Sequence, residues 1–284
     1  MSAILGLNKH KTALDVWAEK TGRKPDDDLS DNEAVLFGNL LEDTIAQEWA
    51  RRNSKKVRRV NRTLYHPQYD FIMGHIDRDV VGEQAGLEIK NMGEWVAKSA
   101  LGDGEDEAKP EHIVQCLWYA MLWNVPHWYL AVLVGGNRLR QFTIKRDPEL
   151  EKTILERAVS FWQNNVLADV PPPAVDYEDA KGHLPMDVTV SDVEADQELS
   201  ALIDQAVDLK RKEDAHGKAF KAIQGQIAMK LSDNTDVKRN GSTILTWRTQ
   251  KSSRISQEKL AEMLSADQLA AARTESVTRV MRFK

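Results

Sequence analysis

Apolar residues along this chain recur at two periods, and the switches between them mark out its elements. Spacing by threes and fours predicts a first helix over about residues 11–21. A second follows Ser30-Asp31-Asn32-Glu33, a capping-box pattern, and runs to about Arg52. With Phe37 as the origin of a helical wheel, Leu41, Ile45 and Trp49 share one arc. Glu42 falls at its edge beside Gly38, and Asp43 points well away. Alternation then predicts strands over about 56–65, 70–77 and 85–90, with hairpin-turn glycines in the stretch Val81 to Gly86. A helix over about 110–124 is apolar nearly all round and so belongs in the interior. Gln115 is its conspicuous polar residue, with Tyr119 one turn on. Strands over about 128–134 and 138–144, joined by Gly135-Gly136-Asn137, form a hairpin, and a helix over about 148–166 closes the unit. Helix, strand meander, buried helix, strands and a last helix describe an α/β sandwich around a mixed sheet.

Val170-Pro171-Pro172-Pro173-Ala174 breaks the pattern. The expected organisation is a domain over residues 1–168, a proline-rich and acidic linker over 169–197, and an extension over 198–284. Glu198 to Leu231 reads as one long helix or a hairpin of two. Its apolar stripe, from Leu199 and Leu202 to Ile223 and Ile227, is expected to pack on the first domain or on another subunit. A strand over about 242–247, a helix over about 257–273 and a strand over about 277–283 complete the chain. There is no internal repeat and no glycine-rich phosphate loop.

Chemistry enters with Glu88-Ile89-Lys90. Residues two apart on a strand point the same way, so Glu88 and Lys90 share a face while Leu87 and Ile89 serve the core. Folding the hairpin brings Asp77 beside Glu88. Two acids and a lysine on neighbouring strands can hold a hard divalent cation against a phosphodiester. The acid-x-Lys pattern itself is common: it recurs at Glu107, Asp179, Asp208 and Asp236, where a solvated ion pair is the plainer interpretation. Asp77 and Glu88-x-Lys90 differ in interrupting apolar, strand-like segments, where charge is costly without a partner or metal.

Hydrophobic content of 42% and charged content of 29% suit a globular chain. One cysteine, Cys116, excludes an internal disulfide framework and a cysteine-based zinc site. With no apolar run long enough to span a membrane and no signal-peptide pattern, a cytoplasmic location is expected. The net charge of −5 weighs against nucleic acid as a partner, but it hides a local asymmetry. The segment 51–62 carries Arg51, Arg52, Lys55, Lys56, Arg58, Arg59 and Arg62 and no acid; it reads either as solvated surface or as a DNA track near the carboxylates.

Four blocks in order give the chain a family resemblance. They are Ala3 to Gly22, Phe37 to Glu42, Gly74 to Asp77 with Leu87 to Lys90, and Gln115 to Tyr119. Together they resemble the YqaJ-type viral recombinases, relatives of lambda exonuclease within the PD-(D/E)XK nuclease superfamily. The resemblance implies a restriction-endonuclease-like α/β core, a mixed central sheet flanked by helices, followed by a helical extension with short strands. It implies Mg²⁺, replaceable by Mn²⁺, bound by Asp77, Glu88 and the Ile89 carbonyl with help from Glu42. Lys90 would orient or deprotonate water, Gln115 would order the site, and Tyr119 and Gly38 would support it. The implied activity is a DNA exonuclease acting 5′ to 3′ on duplex ends. A structure-selective or nicking endonuclease and a non-catalytic DNA-binding protein are the alternatives. Implied partners are an annealing protein of RecT or beta type and two further copies in a homotrimer. Two departures stand out. The family's Gly-Ser-Asp segment ahead of Ala3, associated with gripping the 5′ end, is replaced by Met1-Ser2, so that grip is expected to be shortened. Arg78 follows Asp77 where many members have glycine, and it is expected either to alter the backbone near the metal or to add a phosphate contact.

Overall fold

The computed structural model describes residues 1–25, 28–60, 63–100, 108–184, 192–253, 256, 259–260, 263–274 and 281–282. They form two compact units, Met1–Leu184 and Pro185–Lys284.

A five-stranded sheet organises the first unit. Its strands are β1 (Val57–Arg59), β4 (Arg78–Val80), β5 (Ala85–Met92), β6 (His127–Val134) and β7 (Arg138–Lys145), in that order across the sheet. The two short strands passed over, β2 (Thr63–Tyr65) and β3 (Met73–His75), pair as a separate antiparallel ribbon. All pairings in the main sheet are antiparallel except β5 with β6, which sets Glu88 beside Leu130 and Lys90 beside Val132. A parallel pair needs a long crossover, and the chain supplies it through α3 (Glu94–Ala100) and α4 (Pro110–Trp123).

The two faces of the sheet are covered by different helices. On one, α2 (Glu33–Asn53) lays Ile45, Ala46, Trp49 and Ala50 over Val80, Leu87, Ile89 and Ala131. On the other, Cys116 and Ala120 of α4 pack over Trp128, Leu130, Val132 and Phe142. Central strand β5 is thereby covered on both sides. Gly86 permits this: a Cβ there would lie 2.1 Å from the Trp128 ring. Trp128 is fully buried, so truncating it to alanine would cost roughly 3–5 kcal/mol. Around this core lie α1 (Ala13–Lys20), α5 (Pro148–Phe161), which runs on as a π-helical turn over Trp162–Leu167, and α6 (Tyr177–His183). The sandwich expected from the hydrophobic pattern is the one observed.

Several boundaries shift. The strand expected over 56–65 is split between the main sheet and the ribbon, and the one over 70–77 shrinks to β3. Asp77 therefore lies where the chain passes from ribbon to sheet. Helix α2 is capped by the Asn32 side chain, which accepts from Ala34 and Val35 N–H. Its buried arc begins only at Ile45, and Leu36, Phe37 and Leu40 are exposed, because 21 residues outrun the sheet they pack against. The expected linker also contains structure: α6 docks on α1, extending the first unit past residue 168 to Leu184.

In the second unit, α7 (Gln197–Leu231) is one continuous helix of 35 residues. Strands β8 (Asp236–Arg239) and β9 (Ser242–Thr246) form a hairpin whose turn residues Asn240 and Gly241 both have positive φ. Within the expected 257–273 helix, residues 259–260 and 263 are helical, and after a break at 264–265 helix α8 (Ala266–Ala271) starts from a Ser265 cap. Of the strand expected over 277–283 only residues 281–282 are described, and they are not in a strand; Glu107 and Arg62 lie outside the described residues.

Candidate active site

Strand β5 and the step into β4 bring the two acids together. The Asp77 Oδ2 accepts the Ile89 N–H at 3.0 Å, which places that carboxyl on the backbone between Glu88 and Lys90. Glu88 is 2% exposed; its Oε1 meets Lys90 Nζ at 2.5 Å, and its Oε2 is buried without a hydrogen-bond partner among the described residues. Leu87 and Ile89 point to the α2 face, as their alternation requires.

The electrostatics are those of a site short of positive charge. Burial, and then the nearby Asp77, push the Glu88 carboxyl up to about 8 against the pull of Lys90. Asp77 is also raised, by burial first and then by Glu42, although the Ile89 N–H and Lys90 pull it down. Burial lowers Lys90, but Glu88 and Asp77 outweigh it and leave the ammonium above its ordinary range. Two carboxyls sharing one lysine, with a buried oxygen unsatisfied, fit a hard divalent cation. Asp77, Glu88 and the Ile89 carbonyl offer it oxygen ligands.

Glu42 is brought to the site, but through an intermediary. Its Oε1 accepts from Arg78 Nη1 at 2.6 Å, and the same guanidinium donates to the Asp77 carbonyl at 2.9 Å and to Asp43 at 3.2 Å. Arg78 is only 2% exposed. Of the two roles expected of it, a buried guanidinium committed to Glu42, Asp43 and the Asp77 carbonyl fits the one at the backbone and leaves little for a phosphate; it anchors α2 to the Asp77 turn. Asp43, whose wheel position pointed away, is a partner because Arg78 reaches along the helix.

Gln115 donates to the hydroxyl of Tyr119, one turn on, at 3.0 Å. Both residues and Glu111 line a cleft of about 750 Å³ whose opposite walls include His75, Phe71 and Trp162. Phe71 and Trp162 stack with centroids 5.0 Å apart. Gly74 lets Tyr119 approach, since a Cβ there would lie 2.8 Å from the ring. Gly38 has open space where a Cβ would go, so the support expected of it has no packing basis here.

Two neighbours of the site were not anticipated. His112 is held down to about 4 by burial and by Lys90, so it is neutral near Lys90 at ordinary pH. The Cys116 thiol is raised by burial and by Glu88. They are four residues apart on α4, so a helical wheel puts them on one face.

The basic run is largely committed. Arg51 and Arg52 pair with Glu48, Lys55 with Glu83, and Arg58 with Asp79. Lys56 and Arg59 are exposed with no ion pair among the described residues. The rival acid-x-Lys acids are accounted for as well: Asp179 accepts from Thr12, Asp208 pairs with Lys212, and Asp236 pairs with Arg248.

Residues 1–123 match the YqaJ-like viral recombinase domain. The chain is 34% identical over 281 residues to the uncharacterised protein YqaJ of Bacillus subtilis (strain 168), covering 92% of this chain and 82% of that protein. The chain belongs to the YqaJ family. Among solved structures, it is similar to the alkaline exonuclease LHK-Exo of Laribacter hongkongensis, at 15% identity and a TM-score of 0.47 over 60% of this chain and 87% of that one. It is also similar to a phage-related exonuclease of Haemophilus somnus 129PT, at 13% identity and a TM-score of 0.44 over 55% and 81% of the two chains. No helix among the described residues is long and apolar enough to cross a membrane.

Proposed function

We propose that this YqaJ-family chain is a divalent-metal-dependent deoxyribonuclease, an exonuclease degrading one strand of duplex DNA from its 5′ end in phage-type recombination. The observation that carries this is the buried, unsatisfied Glu88 Oε2 beside Asp77 and Lys90. Asp77, Glu88 and the Ile89 carbonyl would hold the ion, with Glu42 contributing from behind Arg78. Mg²⁺ is the expected ion and Mn²⁺ the expected substitute, given an all-oxygen donor set. When bound, such an ion lowers the pKa of a coordinated water and offsets charge on the phosphate and leaving oxygens.

The chain's own groups do the rest. Lys90, held protonated by its acid neighbours, orients the attacking water or the scissile phosphate as a cation rather than removing a proton. The Ile89 N–H fixes the Asp77 carboxyl, and Arg78 holds the Asp77 carbonyl, so the acid cannot swing away. Gln115 and Tyr119 form the wall shared with the aromatic cleft. Its Phe71, Trp118 and Trp162 faces suit stacking of unpaired bases from the strand being cut. An annealing protein of RecT or beta type is the expected recipient of the exposed strand, and a homotrimer the expected assembly.

The test is linear duplex labelled at the 5′ or the 3′ end, with covalently closed circles alongside, in Mg²⁺ or EDTA. Early mononucleotide release from the 5′ label, intact circles and silence in EDTA are expected. Nicked circles would replace the exonuclease with an endonuclease of the same site. Absence of cleavage in both Mg²⁺ and Mn²⁺ would leave a DNA-binding protein.

A further inference from the structure

Helix α7 presents its apolar residues to solvent: Leu199, Leu202, Leu209, Phe220, Ile223 and Ile227 are all among the exposed large hydrophobics. Their spacing is tighter than a surface stripe requires. Leu199, Leu202, Ala206, Leu209, Glu213, His216, Phe220, Ile223, Ile227 and Lys230 follow one another by strictly alternating steps of three and four. That is the seam of a coiled coil, sustained over more than four heptads, and it has a polar break at its centre.

We propose that α7 pairs with the α7 of a second copy of this chain as an antiparallel two-stranded coiled coil. The polar break decides the orientation. Side by side in parallel, Glu213 would face Glu213 and His216 would face His216 in adjacent core layers. Running antiparallel about the helix centre, Glu213 of each copy faces His216 of the other. Every apolar layer then also finds an apolar partner: Leu209 meets Phe220, Ala206 meets Ile223, and Leu202 meets Ile227. The one mixed layer, Leu199 with Lys230, lies at the ends, where the lysine head reaches water. Flanking positions agree: Lys210 comes opposite Gly217 and Lys212 opposite Ala219, with no like charges in register. Glu213 already turns toward Lys210 at 2.8 Å within its own helix, so its charge enters the central layer partly balanced. This association is independent of the nuclease chemistry.

Sedimentation equilibrium of the full-length protein at micromolar concentration tests it. Leu209→Glu with Phe220→Glu should halve the mass and raise the dissociation constant by at least about 30-fold, the scale of an interface hot spot. Any association made by the first unit would persist, so a trimer of dimers would fall to a trimer. DNA cleavage should be unchanged, and an unaltered circular dichroism spectrum would show that the helix survives. Glu213→Lys should weaken pairing, and adding His216→Glu should restore it. Leu202→Cys alone should not cross-link with itself on oxidation, whereas a mixture of Leu202→Cys and Ile227→Cys chains should. Equal masses for the wild type and the double glutamate variant would overturn the proposal, as would efficient self-cross-linking of Leu202→Cys.

Discussion

Two clusters in the first unit place acids beside a cationic side chain, and they behave in opposite ways. In the α1–α6 cluster, one ligand atom from each of Asp15, Asp179 and His183 lies within 4.8 Å of the others, close enough for a metal. Every carboxylate oxygen there already has a donor. Asp15 accepts from the Thr12 N–H, Lys24 and His183, while Asp179 accepts from the Thr12 hydroxyl and the Val175 N–H. Burial pushes Asp15 up, but Thr12 and Lys24 outweigh it and hold the carboxyl at about 2. At Glu88 the balance is reversed: burial dominates, one oxygen is unmatched, and the carboxyl rises to about 8. The first cluster is a clamp closed by the protein's own groups. The second leaves one carboxylate oxygen unmatched among the described residues. The difference lies in satisfied hydrogen-bond capacity, since both clusters have the residue types of a metal site.

The largest test of that contrast is removal of the unsatisfied acids. Asp77→Ala or Glu88→Ala should reduce cleavage to background and abolish divalent-ion binding by calorimetry while DNA binding persists. Asp15→Asn should leave cleavage intact and instead cost about 1–2 kcal/mol of stability, seen as a lower melting temperature. Activity surviving Glu88→Ala, or disappearing with Asp15→Asn, would exchange the two roles. Next in size, Lys90→Ala should slow cleavage roughly 10²–10⁴-fold at saturating metal.

The pH responses should also oppose each other. Glu88 is protonated in the metal-free fold below about 8, and ion binding requires the carboxylate. Divalent affinity should therefore climb with pH, by up to about tenfold per unit, and flatten above the Glu88 value, with proton release measurable in buffers of different ionisation enthalpy. Because that carboxyl is raised on folding, the metal-free protein should lose stability as pH rises through the same window. Asp15 is depressed on folding, so its contribution should be present above its unfolded value near 4 and disappear as pH falls toward 2. A metal affinity independent of pH would remove Glu88 from the ligand set.

The smallest effect concerns the basic run. Lys56→Glu with Arg59→Glu should weaken DNA binding and flatten its salt dependence by about one unit of slope per lost phosphate contact. Neutralising Arg51 and Arg52 should do less, since Glu48 already engages both. An identical loss from the two pairs would show that the ion pairs open on binding.

Local pattern was enough to find much of the fold and to bring the candidate acids and Lys90 together. Alternation placed Glu88 and Lys90 on one face and Leu87 with Ile89 on the other, and the turn at Gly82 returned the chain so that Asp77 reached β5. Periodicity located α2, α4, the β6–β7 hairpin and the helical stretch of α7. Such features depend on residues within a few positions of one another, and backbone geometry converts that spacing directly into direction. Other properties depend on neighbours far away in sequence. Which acid-x-Lys would lose its water followed from α4 and β6 closing over β5; Asp208 and Asp236, with the same local pattern, remain paired at the surface. Arg78 became a buried tether because α2 presents Glu42 and Asp43 to it. The docking of α6 on α1 needed Asp15 and His183 to meet across 168 residues. Burial, and the charge balance that follows from it, is a sum over such encounters, so the sequence determined which groups were present and the tertiary structure decided which of them were left unsatisfied.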